Sequence, residues 1–546
     1  MDFQRLFLFL IFSLSSLMLW ETWQRAQHPA QPEAAAAAAA SGVPAATASL
    51  SAAPAGSVAV ATEAKRASGQ KITVKTDIFS AEINTVGGDL RRLELAQHRD
   101  ASDKSKPVVL MQEQGAHNYL AQTGLLGGGL PTHNAVFSGA ATEYTLADGQ
   151  NALEVRLTAT DAAGAAVTKV YTFHRGSYVV DVGYEIQNTG EAPISANAYF
   201  QLVRDNSAPE GDSKFVPTYT GPAVYTEQEK FLKVEFDSIA KGKTEYPKTA
   251  DNGWVGMLQH YFVSAWLPKD KTQREYYTKA LGGDLFAAGV IVPMAAIAPG
   301  QTGKLTVPLY AGPAQSSLDD IAPGLGLTVD YGWVTIFATP IFWLLTQIQS
   351  FVSNWGVAII LLTVLIKLAF FPLSAASYRS MAKMRVVAPK LERIKQQYGD
   401  DRERLHQAMM DLYKTEKINP LGGCLPMLIQ IPVFIALYWS ILASVEMRDA
   451  PFFGWITDLS SADPYYVLPI IMAVSMYVQT KLNPTPTDPI QAKVMQLMPM
   501  VFAVMFLFFP AGLVLYSVVN NLLSIAQQWY ITRDLEAATQ GAGKAR

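Results

Sequence analysis

Ile360-Leu-Leu-Thr-Val-Leu-Ile-Lys-Leu-Ala-Phe-Phe-Pro372 holds a single cation, Lys367, in an otherwise apolar stretch. A lysine at the centre of a bilayer costs roughly 2.5–3.5 kcal/mol even on insertion scales. Two readings follow. Lys367 lies five residues before Pro372, roughly 8 Å along a helix, and can snorkel to an interface. Alternatively it faces a water-filled hollow among helices. Either way the stretch belongs to a membrane protein, and the rest of the chain agrees. None of Asp, Glu, Lys or Arg occurs at 6–20, 331–366, 421–445, 464–480 or 494–532. These gaps are why charged residues are only 16% of 546, against about 25% in soluble domains.

A helix needs about 20 apolar residues to span the hydrocarbon core. The 331–366 run is too long for one span. Its first part is aromatic and interrupted by Pro340, which suits an interfacial amphipathic helix at 326–350, followed by a span at 351–372. The last run holds two helices, with Pro510-Ala-Gly512 as the turn between them. The expectation is six transmembrane helices, at about 3–20, 351–372, 421–443, 465–482, 494–509 and 513–531. Ten Lys and Arg residues between 373 and 420 make that loop cytoplasmic, whereas 444–464 carries Arg448 among four acids and faces outward. Both termini are then cytoplasmic. The first segment (1–25) reads as an uncleaved anchor, since Glu21-Thr-Trp-Gln-Arg25 follows it where a signal peptide carries a small-x-small site.

Residues 26–69 form an Ala/Pro-rich linker with seven consecutive alanines, a disordered tether. Residues 70–325 alternate as strands do, in Lys71-Ile-Thr-Val-Lys-Thr76 and Tyr178-Val-Val-Asp-Val-Gly-Tyr-Glu-Ile186, and predict a large antiparallel β-sandwich outside the membrane. Residues 373–420 predict a helical hairpin. Met384, Val387, Leu391, Ile394 and Tyr398 make one stripe, and Leu405, Met409 and Leu412 the facing one. Pro389 interrupts and bends the first helix. The hairpin is either a charged connector or a basic docking arm, with Lys383, Met384, Arg385, Lys395 and Arg402 as its recruiting residues.

Polar residues favour the hydrated reading of Lys367. Thr363 lies one turn before it. The last span carries Ser517, Asn521, Ser524 and Gln528 at helical spacing, flanked by Asn520 and Gln527, and Gln430, Ser475, Gln479 and Gln496 add polar groups elsewhere. Interhelical hydrogen bonding alone is the competing account. Ion-coupled carriers use intramembrane acids or histidines. The spans hold neither, and no phosphate-binding GxxxxGK[ST] loop occurs. Single Cys424 and the scattered histidines leave no metal cage, so no cofactor is expected. A net charge of −3 gives no field for nucleic acid. A positive, hydrated half-channel would instead admit a polar stretch of another chain while its apolar segment partitions into lipid. A secondary transporter or lipid scramblase is the alternative, and a scaffold whose outer domain does the binding is a third.

Several long motifs then resemble one family. Leu327-Thr-Val-Asp-Tyr-Gly-Trp333, Ser353-Asn-Trp-Gly356, Ser380-Met-Ala-Lys-Met-Arg385, Asn419-Pro-Leu-Gly-Gly-Cys-Leu-Pro426, Asp463-Pro-Tyr-Tyr-Val-Leu-Pro469, Phe509-Pro-Ala-Gly-Leu-Val-Leu-Tyr516 and Gly87-Gly-Asp89 are similar to those of the YidC-type membrane protein insertases of Gram-negative bacteria. The resemblance implies a non-enzymatic inner-membrane insertase and folding helper for nascent membrane proteins, acting alone or beside the Sec translocon. It further implies contact with the ribosome, the signal recognition particle receptor and membrane lipids. It also implies a periplasmic β-supersandwich, a five-helix core (TM2 to TM6), and a groove open to cytoplasm and lipid but closed outward. The groove's cationic position falls on Lys367, where most relatives carry Arg; charge is kept and the planar fork is lost. Thr363 matches the polar partner one turn away. Ser517 stands where close relatives often place Tyr, with Tyr516 adjacent. The tail, 532–546, is short and mildly basic, which leaves ribosome contact to the hairpin and the 483–493 loop.

Overall fold

The structure is a computed structural model that describes residues 69–544, apart from short stretches at 101–102, 115–116, 160–163, 210–217, 330, 400, 417–424 and 483–488. The expected anchor and almost all of the linker lie outside the described residues.

Residues 71–313 form two sheets of ten and nine strands, almost wholly antiparallel, packed face to face. Side-chain alternation builds them. The strand Ala165–His174 buries every second residue, as a strand with one face on a core must. Val74, Leu93, Phe200 and Val290 from one sheet meet Val155, Phe173, Val182 and Leu309 from the other. One position defies the apolar pattern. Lys169 is fully buried; its ammonium donates to the Gly87 carbonyl at 3.0 Å and stands 3.9 Å from the equally buried Asp89 carboxylate. The rings of Phe137, Tyr171 and Tyr184 lie within 6 Å of it. Gly87 (φ +80°) and Gly88 (φ +59°) take left-handed conformations that turn their carbonyls to Lys169 and to the Tyr171 hydroxyl. The Gly-Gly-Asp motif is therefore the receptor for a buried lysine.

Among the described residues, eight helices carry the rest. They are α1 (Thr335–Val352), α2 (Trp355–Ala369), α3 (Phe371–Tyr398), α4 (Arg402–Thr415), α5 (Leu425–Ala443), α6 (Val467–Leu482), α7 (Pro489–Phe506) and α8 (Ala511–Lys544). Among the described residues, α1 alone is long and apolar enough to cross a bilayer unaided. Helix α2 passes only with the first part of α3, as a pair bent by 67°, and the apolar portions of α5, α6 and α7 are shorter.

Two sequence expectations change here. Pro340 does not break its helix: α1 runs through it. It is the sixth residue, so only the bond to Ile336 is lost, near an end where donors are unpaired anyway. Pro389 likewise lies inside a continuous α3. Helix α8 runs on through the tail residues to Lys544. At the α2–α3 bend, Pro372 has no N–H for the Leu368 carbonyl and its ring crowds that turn, so the helix stops at Phe370 and restarts.

A second apolar core welds sandwich to bundle. It runs from Tyr225, Trp254, Val263 and Tyr310 of the nine-stranded sheet through Leu318, Leu325 and Tyr331 into α1, α2, α5 and α8. Around it, His260 donates to the Leu442 carbonyl at 2.9 Å, and Lys104 pairs with Asp449 and Asp458 at 2.5 and 3.3 Å.

The start of α2 is set by Ser353-Asn-Trp-Gly356. Ser353 turns the chain at φ +55°, and Asn354 caps α2 by accepting from the Val357 N–H at 3.0 Å. Trp355 stacks on Phe342, and a Cβ on Gly356 would stand 2.0 Å from the Phe452 ring. Gly356→Val should therefore cost about 1–3 kcal/mol, read as a lower unfolding temperature in detergent micelles. Lys169 supplies a pH test. Burial lowers it from 10.5 to about 8, so between those values the unfolded chain binds a proton the folded chain has shed. The stability of the wild type relative to Lys169→Met should rise as pH climbs from about 8 to 10, measured by thermal unfolding at stepped pH.

Candidate functional site

Lys367 sits in the last turn of α2, and its ammonium donates to the Ser524 hydroxyl of α8 at 2.7 Å. Ser524 in turn donates to the Asn520 carbonyl at 2.7 Å. Among the described residues no carboxylate lies within ion-pair distance of Lys367, and two of its three N–H donors stay uncommitted. Beside it opens a cleft with about 410 Å³ of empty space, walled by Lys367, Gln430, Tyr516 and Asn520 together with Ile366, Phe370, Leu373, Ser374 and Val433. The Gln430 amide donates to the Tyr516 hydroxyl at 3.4 Å across it. The result is one cation, a few amides and hydroxyls, and a greasy wall.

Other residues singled out from sequence lie elsewhere. Thr363 and Ser517 are buried, and each hydroxyl bonds back to its own helix, to the Ile359 and Leu513 carbonyls at 2.7 and 2.9 Å. Their hydroxyls are satisfied within their own helices, and neither residue lines the cleft. Asn521 points away, donating to Ser475 of α6 at 3.3 Å, and Gln528 donates to the Leu482 carbonyl at 3.0 Å. The polar stripe of α8 thus divides: residues 520 and 524 serve the cleft, while 521 and 528 tie α8 to α6. Phe370 and Ser374 were missed from sequence, because the 67° break between α2 and α3 puts them on no single helical face with Lys367 and so leaves no spacing signal.

In the hairpin, Val387 and Leu391 of α3 pack against Met409, Leu412 and Tyr413 of α4. Met384 is half-buried in this cluster, and Lys383 and Lys395 are exposed. The backbones of Arg385 and Arg402 lie in α3 and α4; their side chains fall outside the described residues. Asp401 caps α4 by accepting from the Glu403 and Arg404 N–H groups.

At the other end of the bundle, the loop after α5 lays Ser461 and Leu459 over the start of α8, where their carbonyls accept from Ala511 and Gly512 at 2.7 and 2.9 Å. Asp463 caps α6 through the Leu468 N–H and holds the Trp455 indole at 2.9 Å. Lys367 lies thirteen positions after Asn354 at this loop, about 20 Å along the helix, which puts it nearer the hairpin.

A β-sandwich welded to an apolar helical bundle, with one cation in a cleft among its helices, describes a membrane protein with a large extramembrane domain. Family models agree along almost the whole described length: "YidC periplasmic domain" matches residues 71–344, and "60Kd inner membrane protein" matches 347–538. The chain is 56% identical to the membrane protein insertase YidC of Nitrosospira multiformis and 57% identical to that of Methylobacillus flagellatus, each alignment covering 100% of both chains. A crystal structure titled active YidC insertase aligns over 85% of this chain and 93% of that one, at 19% identity and TM-score 0.41. The chain belongs to the YidC family of membrane protein insertases, inner-membrane proteins whose activity is not enzymatic.

The division of the α8 stripe is testable. Asn521→Ala should lower stability by about 0.6–1.7 kcal/mol through the lost interhelical bond and leave insertion near wild type. Ser524→Ala should do the reverse, impairing insertion with little change in unfolding temperature. Paired thermal unfolding and vesicle insertion assays separate the two.

Proposed function

We propose that this chain inserts nascent membrane proteins through the cleft at Lys367. The observation that carries the reading is an ammonium with a single hydroxyl partner at the wall of an amphiphilic cleft that lies nearer the hairpin. A polar or acidic stretch of a client enters from the hairpin side and exchanges part of its hydration for Lys367, Gln430, Tyr516 and Asn520. Its dehydration cost falls while its apolar segment slides into lipid, where burial returns about 0.8 kcal/mol per CH₂. The membrane potential adds to this for charged tails. No bond is made or broken, so the residues bind and hydrate.

The same reading sets six spans, with 3–20 as the first and 351–372 as the second. The sandwich is then periplasmic, and the hairpin and both termini cytoplasmic. Helix α1 lies in the interface: Ile336, Trp343 and Phe351 are exposed, whereas Ala338, Phe342 and Leu345 face the bundle, a one-sided pattern that suits the headgroup boundary. The hairpin, with Lys383 and Lys395 exposed on a Met-bearing core, is the recruiting arm toward the ribosome and the signal recognition particle receptor, and the insertase works alone or beside the Sec translocon.

The charge is the testable element. Lys367→Arg should retain insertion of acidic-tailed clients, because a guanidinium supplies the same charge with more donors. Lys367→Glu should reduce it by about tenfold or more, since a like charge replaces an attraction of ~1.4 kcal/mol. Equal activity of the two variants in reconstituted vesicles, across several clients, would remove the charge from the mechanism.

A further inference from the structure

A second cleft lies where the sandwich meets the loop after α5, far from Lys367. It holds about 990 Å³ of empty space between strand ends of both sheets, and Arg448 of the bundle's loop completes its wall. Its side chains divide by hydrogen-bond role. Two carboxylates line it: Asp205 takes the Ser207 N–H and hydroxyl on one oxygen and the Asn118 N–H on the other, and Asp100 accepts from the Asp103 N–H at 3.0 Å. The arginine donors have capacity left. Arg204 is almost fully buried against the Tyr119 ring; one terminal nitrogen donates to the Ser207 carbonyl at 3.1 Å and the other, Nη1, has no partner among the described residues. Arg448 spends one nitrogen on the Arg99 carbonyl at 2.5 Å and lies over the Tyr261 and Phe262 rings. The amides of Gln112 and Gln259 also line the cleft.

A buried guanidinium nitrogen without an acceptor is rare in folded proteins and demands an account. Asp205 is the nearest carboxylate in sequence, yet its oxygens are taken by the loop it braces. Two guanidinium groups with spare donors line this one cleft, and planar guanidinium forks suit the oxygens of carboxylates and phosphates. We propose that this seam cleft binds a small ligand bearing an oxyanion, carboxylate or phosphate, held between Arg204 and Arg448. Sugar acids, sugar phosphates and phospholipid headgroups carry such groups. Because one arginine comes from the sandwich and the other from the helical part, occupancy ties the two together. The proposal is independent of how the Lys367 cleft works.

The test is calorimetric titration of the full-length protein in neutral detergent with five probes: galacturonate, glucose 1-phosphate, uncharged galactose, and short-chain phosphatidylglycerol and phosphatidylcholine. Saturable binding of at least one anionic probe, with galactose and phosphatidylcholine inert, is the expected result. Binding of the sugar anions alone identifies a soluble ligand, and binding of phosphatidylglycerol alone a headgroup. Arg204→Gln and Arg448→Gln should each weaken the binding by about tenfold or more. Arg448 is half-exposed on a loop, so its variant stays informative if Arg204→Gln fails to fold. Silence from every anionic probe up to about 10 mM, equal binding of galactose, or anion binding unchanged in Arg448→Gln would overturn the proposal.

Discussion

An ammonium inside an apolar bundle has to be solvated by something, and much of the membrane body is arranged around how Lys367 meets that demand. With no carboxylate in reach among the described residues, a hydroxyl and the contents of the cleft must do it. A single hydrogen bond donated to Ser524 does not repay the desolvation of a full charge. The charge is tolerated because the bundle is left open beside it, with amide and phenol groups on the facing helices. Filling that space with apolar side chains would gain packing and strand the cation. The cleft is thus a structural consequence of the lysine as much as its purpose.

The same logic operates in reverse in the sandwich. Lys169 also lacks access to water, but there the chain supplies a complete receptor: the Gly87 carbonyl, three aromatic faces and Asp89. One lysine is closed in and structural; the other is left with free donors beside empty space. Partner count separates the two roles, since both sit in sequence among apolar neighbours.

Rigidity at the sandwich end of the bundle gives the cleft its geometry. The 444–466 loop is braced from the Asn354 and Asp463 caps, from its carbonyls on Ala511 and Gly512, and from the sandwich through Lys104 and His260. Helices α2 and α8 begin at this platform, so their relative position is fixed there, and Lys367 and Ser524 meet about four turns further on. Several motifs that first served only as signatures have local jobs in this platform: a left-handed turn and cap at Ser353-Asn354, a close approach at Gly356, a cap at Asp463.

Sequence alone determined what depends on composition along the chain. Charge-free runs marked the apolar segments, alternation marked the sandwich, helical spacing marked the hairpin stripes, and the lone cation marked the site. It also named four residues of the cleft wall, Lys367, Gln430, Tyr516 and Asn520. It had no means of telling Ser524 from Asn521, because both belong to one stripe and only the rotation of α8 against α2 and α6 assigns each a partner. Nor did Pro340 announce that its helix continues, since the cost of a proline depends on its position within a turn. The pairing of Lys169 with residues about eighty positions away, and the presence of Arg204 and Arg448 in one cleft, arise from packing between elements. Such contacts leave no periodicity in either partner, so they were decided by the tertiary structure.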